Sequence, residues 1–534
     1  MSAVVGICGV EVDLDFQRAA QSLAAVFNVG VVRRDANGCR ELDGLVEVGG
    51  GADSALVQNT AKPVLRFVRP DKKSPLLQDK SIQFTQHFSL PACLRGRRLV
   101  LREPLSNALP ESTPGDTVAT VSGQPVWKVS SGRSRILWSI SIPVPRLVDK
   151  GCLAELFNGE TFVEMLPLYL FLRTIDSRPL WETPPARACL VVDDPNLRAC
   201  TYGHVDFREL IAFSREQPFH AAMATIPLDY WAASPAACRL FREHSDVLSL
   251  LVHGNDHRHF ELARSSDKST CSRTVAESLR QICSLERRFG LRVDRVMAPP
   301  YGVCSPEMIE AIWRGGYEGM TTNRWSLWKF NPPTTLPQDF GLHPGDFLAG
   351  GLPTINRFRF NSSIAENEIV IACLIGQPII PYGHHLDFSD GMYHVRKCVD
   401  AVNAVGDVRW MSMGEILRSN FAWRITSDEM HIHMYSRRVR LEVPPGIRTL
   451  KVEIPGLAGE RDLVLKLTYL GSKGNGGFTV RAREFIPLRW KGAEVEVQID
   501  DPPVPAPQGG NFRETSSLTR LRRIAAEMRD RLKI

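Results

Sequence analysis

The chain has 534 residues, more than one core holds at about 100–200 residues per domain. With 43% hydrophobic and 23% charged residues it has the composition of a folded globular protein, not a disordered one. A formal net charge of +6, with Lys and Arg spread along the sequence, excludes the concentrated basic patch of a nucleic-acid binder.

The first residues, MSAVVGICGVEVDLDF, have no basic n-region and no long apolar stretch, so no signal peptide is expected. QRAAQSLAAVF (17–27) has helical spacing, LDGLVEVGGG (42–51) reads as a buried strand ending in a glycine turn, and KPVLRFV, TVATVSG and ILWSISIPVP read as strands. Residues 1–180 are therefore expected to form an α/β domain. The DGLVEVGGG stretch resembles the strand-to-glycine turn of class I glutamine amidotransferase-like domains. No G-x-C-x-G elbow follows it, so that family's nucleophilic cysteine is not visible. The longest apolar run, MLPLYLFL (165–172), is far short of the roughly 18–20 residues that span a bilayer, and the expected location is cytoplasmic.

A Pro-rich hinge, RPLWETPPARA (178–188), marks a boundary. Beyond it strands alternate with helices over 185–420: ACLVVDD, FHAAMATI, DVLSLLVHG, RVDRVMAPP, QPIIPYGHH and DVRWMSM are the strands. TVAESLRQICSLERRF (274–289) is the clearest helix, with Val275, Leu279, Ile282, Leu285 and Phe289 on one face. This alternation implies a mainly parallel sheet, closed or distorted into a barrel. Over 421–500, VRLEV, LKVEI, LVLKL and AEVEVQI alternate with period two between glycine turns, the pattern of a small antiparallel β-sandwich. A Pro/Gly linker (501–510) and a basic amphipathic helix close the chain (501–534). The 12 cysteines include no C-x-x-C pair, which argues against a zinc ribbon and fits scattered buried thiols in a reducing compartment.

Ten of the 13 histidines lie between His204 and His394, within the α/β segment. Four clusters there stand at expected strand ends, where open α/β sheets and barrels place their sites. CLVVDDPN ends in Asp193 and Asp194, which can divide the work of binding a cation and of general base, or simply make a turn. In LLVHGNDHRHF, His253 and His257 are spaced i,i+4, the spacing of two imidazoles on one side of a helical turn, with Asn255 or Asp256 able to begin that helix. VMAPPYG fixes a rigid turn around Tyr301 that can aim a backbone N–H at an oxyanion, and IIPYGHHLDF ends in His384 and His385, either able to give a proton.

The order of these clusters resembles that of NodB-type polysaccharide deacetylases, also called carbohydrate esterase family 4. The likeness covers some 235 residues. It implies a NodB-like distorted (β/α) barrel, flanked by the N-terminal α/β domain and the C-terminal β-sandwich. It also implies a metal-dependent hydrolase that removes N-acetyl groups from an amino sugar or polysaccharide. Asp194, His253 and His257 would be the metal ligands, with zinc the default and cobalt, nickel or manganese able to fit. Asp193 would be the base, the backbone N–H of Tyr301 would help hold the oxyanion, and His384 or His385 would protonate the leaving amine. Two positions depart from the family pattern. The arginine of R-x-P-Y-G is replaced by Ala298, and TTNRWSLW (321–328) has no carboxylate around Asn323, Arg324 and Trp325. These departures favour the alternative of a catalytically silent module that binds glycan or scaffolds an assembly.

The flanking parts offer less chemistry. His431 and His433 share one face of a strand and read as sheet surface. In the tail, Leu518, Leu521, Ala525, Met528 and Leu532 form an apolar stripe opposite several arginines. That stripe suits docking onto the protein's own body or a partner subunit, or an anionic membrane surface. Far in sequence from every proposed ligand, the tail is expected to be dispensable for chemistry.

Overall fold

A computed structural model describes residues 3–532 except 10–11, 34–41, 51–59, 69–76, 106, 133–135, 176–180, 458–462, 471–476, 489–491, 493 and 501–516. The expected linker at 501–510, the first part of the Pro-rich hinge and Gly51 of the glycine turn thus lie outside the described residues. The chain divides into two compact units, one of Met1–Leu180, Pro333–Leu342 and Glu366–Leu374, the other of the remainder.

The first unit is built on a nine-stranded mixed sheet. Gly30–Arg33, Val4–Gly9, Gly44–Gly50, Val64–Val68 and Ile136–Ile140 run parallel, and four antiparallel strands extend the sheet. Helix Leu14–Val26 begins where the Asp13 carboxylate accepts the Phe16 N–H, and it buries Phe16, Ala19, Ala20 and Leu23. Inside the sheet, Glu47 sits opposite Arg66 on the neighbouring strand, and the two form a buried ion pair at 2.7 Å. Helix Phe162–Ile175, which contains MLPLYLFL, is buried on nearly every side, as an apolar helix of that length in a core should be. Among the described residues no helix is long and apolar enough to cross a membrane.

In the second unit, Leu190–Asp193, Ala221–Thr225, Leu248–Val252, Val296–Met297, Gly319–Thr322 and Pro353–Asn356 follow one another in parallel, and Pro381–His384 pairs on the other side of Leu190–Asp193. Cys189, Val191, Ala222, Ala224, Leu251 and Val296 are fully buried within it, so these strands read as continuous apolar runs. Helix Lys268–Phe289 starts at its Asp267 cap and stops at Gly290 in the left-handed region; it buries Cys271, Val275, Ser278, Ile282 and Leu285. The barrel expected from the sequence differs in one respect. The sheet is a nine-stranded ladder, and among the described residues no hydrogen-bonded pairing joins its first strand to its last. Instead one stretch of chain serves both ends. Pro353–Asn356 pairs with Gly319–Thr322, and after Arg357 the chain continues as Phe358–Arg359 beside Pro381–His384.

Between 421 and 499 two four-stranded sheets bury alternate residues, as period-two patterning requires. The expectation of wholly antiparallel pairing fails at one place, where Glu429–Met434 runs parallel to Thr449–Glu453. His431 and His433 lie on the less buried face. His433 stacks on Trp181 with ring centroids 3.5 Å apart and meets Glu453 at 3.1 Å, and burial lowers its pKa to about 4.

The tail helix, Ser517–Leu532, docks on the protein's own body, but not by the apolar stripe expected to do so. Leu518, Leu521 and Met528 are more than half exposed, whereas Thr519, Arg523 and Glu527 are buried. Arg523 grips Asp229 through two nitrogens at 2.7 and 3.3 Å, and Glu527 meets Arg198 at 2.7 Å. A buried carboxylate such as Asp229 has to find a cation, and that demand outweighs burying a stripe that exposed leucines can leave in water at modest cost. Replacing Asp229 by Ala leaves Arg523 without its countercharge, a loss of about 3–5 kcal/mol for a buried pair. Hydrogen exchange should show the amides of 517–532 losing protection first, and unchanged protection there would contradict this docking.

Candidate active site

Parallel register brings the chemistry to one edge. Asp193 lies directly across the ladder from Ala224 on one side and His384 on the other. Because side chains alternate along a strand, this register sets His384 rather than His385 on the side of Asp193. His384 Nε2 is 3.8 Å from Asp193 Oδ2. His385 is buried, with its ring edge-on to Tyr202.

Asp193 is buried and held by both arms of Arg357, at 2.8 and 2.9 Å. Burial opposes its ionisation, but the Arg357 guanidinium, with His253 and His384, outweighs burial and holds the carboxyl below its ordinary value. Arg357 is itself buried and lies 4.2 Å over the Tyr382 ring. It is the residue between the two strand segments that serve the two ends of the sheet. The resemblance placed an arginine at position 298, where Ala298 stands, and did not point to Arg357. The visible signal was INRFRFN, where arginines alternate with buried phenylalanines at an apolar strand end. Ala298 has another use, as its carbonyl accepts a hydrogen bond from His253 Nδ1–H at 2.8 Å and so leaves Nε2 to face the site.

That Nε2 is 3.5 Å from Asp194 Oδ1, and His257 Nε2 is 3.2 Å from the same oxygen. Asp194, His253 and His257 form a group able to hold a metal ion, each offering one donor atom within 4.8 Å of the others. Ligands about 2.1 Å from a tetrahedral zinc stand about 3.4 Å apart, so the spacing fits. Burial works against charge on Asp194, yet hydrogen bonds from the two imidazoles hold its carboxyl well below the usual range. His253 is raised despite burial by the Asp193 and Asp194 carboxylates. Concentrated negative charge facing two imidazole nitrogens favours a cation.

The i,i+4 spacing of the histidines does not reflect a helix. His253 follows the end of strand Leu248–Val252, and the chain then loops back, with His257 at φ 53°. The loop is tied by Glu261, whose carboxylate accepts the N–H groups of Asn255, Asp256 and His257 at 2.9, 2.9 and 3.1 Å. Burial and the neighbouring Asp256 push the Glu261 carboxyl up to about 8. Gly254, at φ 65°, lets this carboxylate approach, since a Cβ there would collide with it. Asp194 and Tyr301 also have positive φ, at 80° and 59°. Three of the site residues thus hold a conformation that non-glycine residues rarely adopt, a concentration of strain typical of functional sites.

These side chains line a cavity of about 590 Å³, in which Asp193, Asp194, His253, His257, Tyr301, His384 and His385 all have a part. Tyr301 is half exposed, with its ring 5.5 Å from that of His257. Asn323 also lines the cavity and caps the short helix Arg324–Leu327. Arg324 is turned into the protein, where it bonds Gln377. Unforeseen from sequence, Arg522 and Arg523 of the tail helix belong to the cavity wall.

No protein-family model matches this sequence, and no curated protein matches it significantly. Similar solved structures include a protein from Mycobacterium smegmatis described as a candidate polysaccharide deacetylase, at 15% identity and a TM-score of 0.33 over 45% of this chain and 92% of that one. Another is the CE4 domain of a multidomain xylanase from the hindgut metagenome of Trinervitermes trinervoides, at 10% identity and 0.28 over 43% and 89%. A third is a family 4 carbohydrate esterase from Streptomyces lividans in complex with acetate, at 12% identity and 0.26 over 42% and 91%. At such identities and scores, function has to be read from the side chains of this chain.

If Asp194, His253 and His257 bind a divalent ion, elemental analysis should find it in the wild type and not in His257→Ala. Glu261→Ala, which frees the loop without removing a donor atom, should weaken metal affinity about 10–100-fold. Equal metal in wild type and His257→Ala would remove these residues as ligands.

Proposed function

We propose that this protein is a metal-dependent hydrolase of amide bonds that removes N-acetyl groups from an amino sugar. The observation that carries the reading is the buried, Arg357-paired Asp193 beside the donor group of Asp194, His253 and His257. A divalent cation held there, zinc by default, would supply Lewis acidity toward the acyl carbonyl and lower the pKa of a water molecule.

The protein's own groups divide the remaining work. Asp193 is kept ionised by Arg357 and can accept a proton from the attacking water, since each carboxylate oxygen keeps a lone pair beyond those the guanidinium occupies. Arg357 also fixes the carboxylate plane, the orienting role for which Ala298 left no candidate. With that role filled, the ground for reading the domain as catalytically silent weakens. His384, across the ladder from Asp193 and partly open to the cavity, is the group to protonate the leaving amine. His385 is a packing residue in this reading, buried against Tyr202. The Tyr301 backbone N–H serves the developing oxyanion, and its exposed ring offers an apolar face to a sugar. The amino-sugar substrate rests on the order of the motifs along the chain.

The roles of the two carboxylates separate by substitution. Asp194→Ala should lose metal and activity together. Asp193→Asn should keep the metal and melt at a lower temperature, because Arg357 loses its countercharge, while acetate release falls about 10²–10⁴-fold. Metal content, melting temperature and acetate release measured on each variant test this. A metal-loaded Asp193→Asn with near wild-type turnover would refute the base assignment.

A further inference from the structure

We infer that the tail helix completes this cavity and that Arg522 selects a substrate bearing an anionic group close to the scissile amide. The inference rests on the proposed function for the amide and for the divalent ion.

Both Arg522 and Arg523 line the cavity that holds Asp193, Asp194 and the histidines, but their circumstances differ. Arg523 is buried and committed to Asp229 through two nitrogens. Arg522 keeps 42% of its side chain exposed. It donates to the Asp256 carbonyl at 2.8 Å, while the Asp256 carboxylate stands 3.8 Å away and is taken at 2.9 Å by Arg258. Arg357 is likewise matched by Asp193, and Arg359 by Asp387 at 2.7 Å. Once the pairs cancel, Arg522 and the Asp194 carboxylate remain with opposite charges, and a divalent ion on Asp194, His253 and His257 would leave the wall with a surplus of positive charge. A cavity with surplus positive charge and partial shelter from water favours an anion.

The placement is held and not incidental. The Arg523–Asp229 and Arg198–Glu527 pairs and the Arg258–Thr519 hydrogen bond fix the helix along one face, at three successive turns next to Arg522. A volume of about 590 Å³ suits a small molecule or a terminal sugar unit. A planar guanidinium at its wall matches a carboxylate or a phosphate on such a ligand.

The test is calorimetric binding to the full-length, zinc-loaded protein. The probes are neutral N-acetylglucosamine, N-acetylglucosamine 6-phosphate and N-acetylmuramic acid, which separate phosphate from carboxylate. At least one anionic sugar should bind about tenfold or more tightly than the neutral one. Arg522→Gln should abolish most of that preference, and Arg522→Lys should restore part of it. A merely structural Arg522 would weaken all three probes together and leave their ratio unchanged. A wild type that binds the three equally, prefers the neutral sugar or binds none overturns the inference, as does a preference that survives in Arg522→Gln. Acetate release is followed separately. Hydrolysis without anionic preference overturns this inference and leaves the hydrolase reading standing, whereas preference without hydrolysis does the reverse.

Discussion

Two adjacent carboxylates stand at the end of a strand whose other residues are fully buried, and neither can stay charged there without help. An ionised carboxylate withdrawn from water costs several kcal/mol unless it is paired, so each imposes a demand on its surroundings. Asp193 is answered by Arg357, brought from about 160 residues later in the chain to close a two-pronged pair. Asp194 is answered by two imidazoles that share one of its oxygens. Much of the site can be understood as the consequence of supporting these two charges.

The support extends outward in layers. His253 faces inward because the Ala298 carbonyl holds its other nitrogen, and His257 returns to the site because Glu261 gathers three backbone N–H groups of the loop. Positive φ at Asp194, His257 and Tyr301 shows the backbone bent away from easy conformations at the residues whose aim matters most. Such strain persists only where surrounding contacts over-determine it, and here the parallel ladder and the Glu261 tie supply them.

The same electrostatic logic reverses the tail helix. Its amphipathic pattern favours burying the leucine side, yet the side carrying Thr519, Arg523 and Glu527 is buried. Asp229 and Arg198 decide the matter, because the close pairs they make with Arg523 and Glu527 offset the cost of exposing a few apolar side chains. The outcome carries Arg522 to the wall of the cavity, a position that no feature of the tail alone implies.

Strand and helix periodicity made the alternating architecture of residues 185–420 legible, because buried parallel strands are plain apolar runs and a surface helix repeats every 3.6 residues. The convergence of Asp193, Asp194, His253 and His257 was legible too, since they sit at or just beyond strand ends, where side chains meet. What the sequence could not determine was anything that depends on residues distant in the chain. The i,i+4 histidine spacing suggested a helical turn, but a loop pinned by Glu261 produces the same convergence by tertiary hydrogen bonds. Which of His384 and His385 stands beside Asp193 needed the ladder register, because a shift of one residue exchanges the two faces of a strand. Arg357 and Arg522 were invisible as site residues for the same reason. A charge is recruited by the nearest unpaired countercharge in space, and only the folded chain decides which one that is.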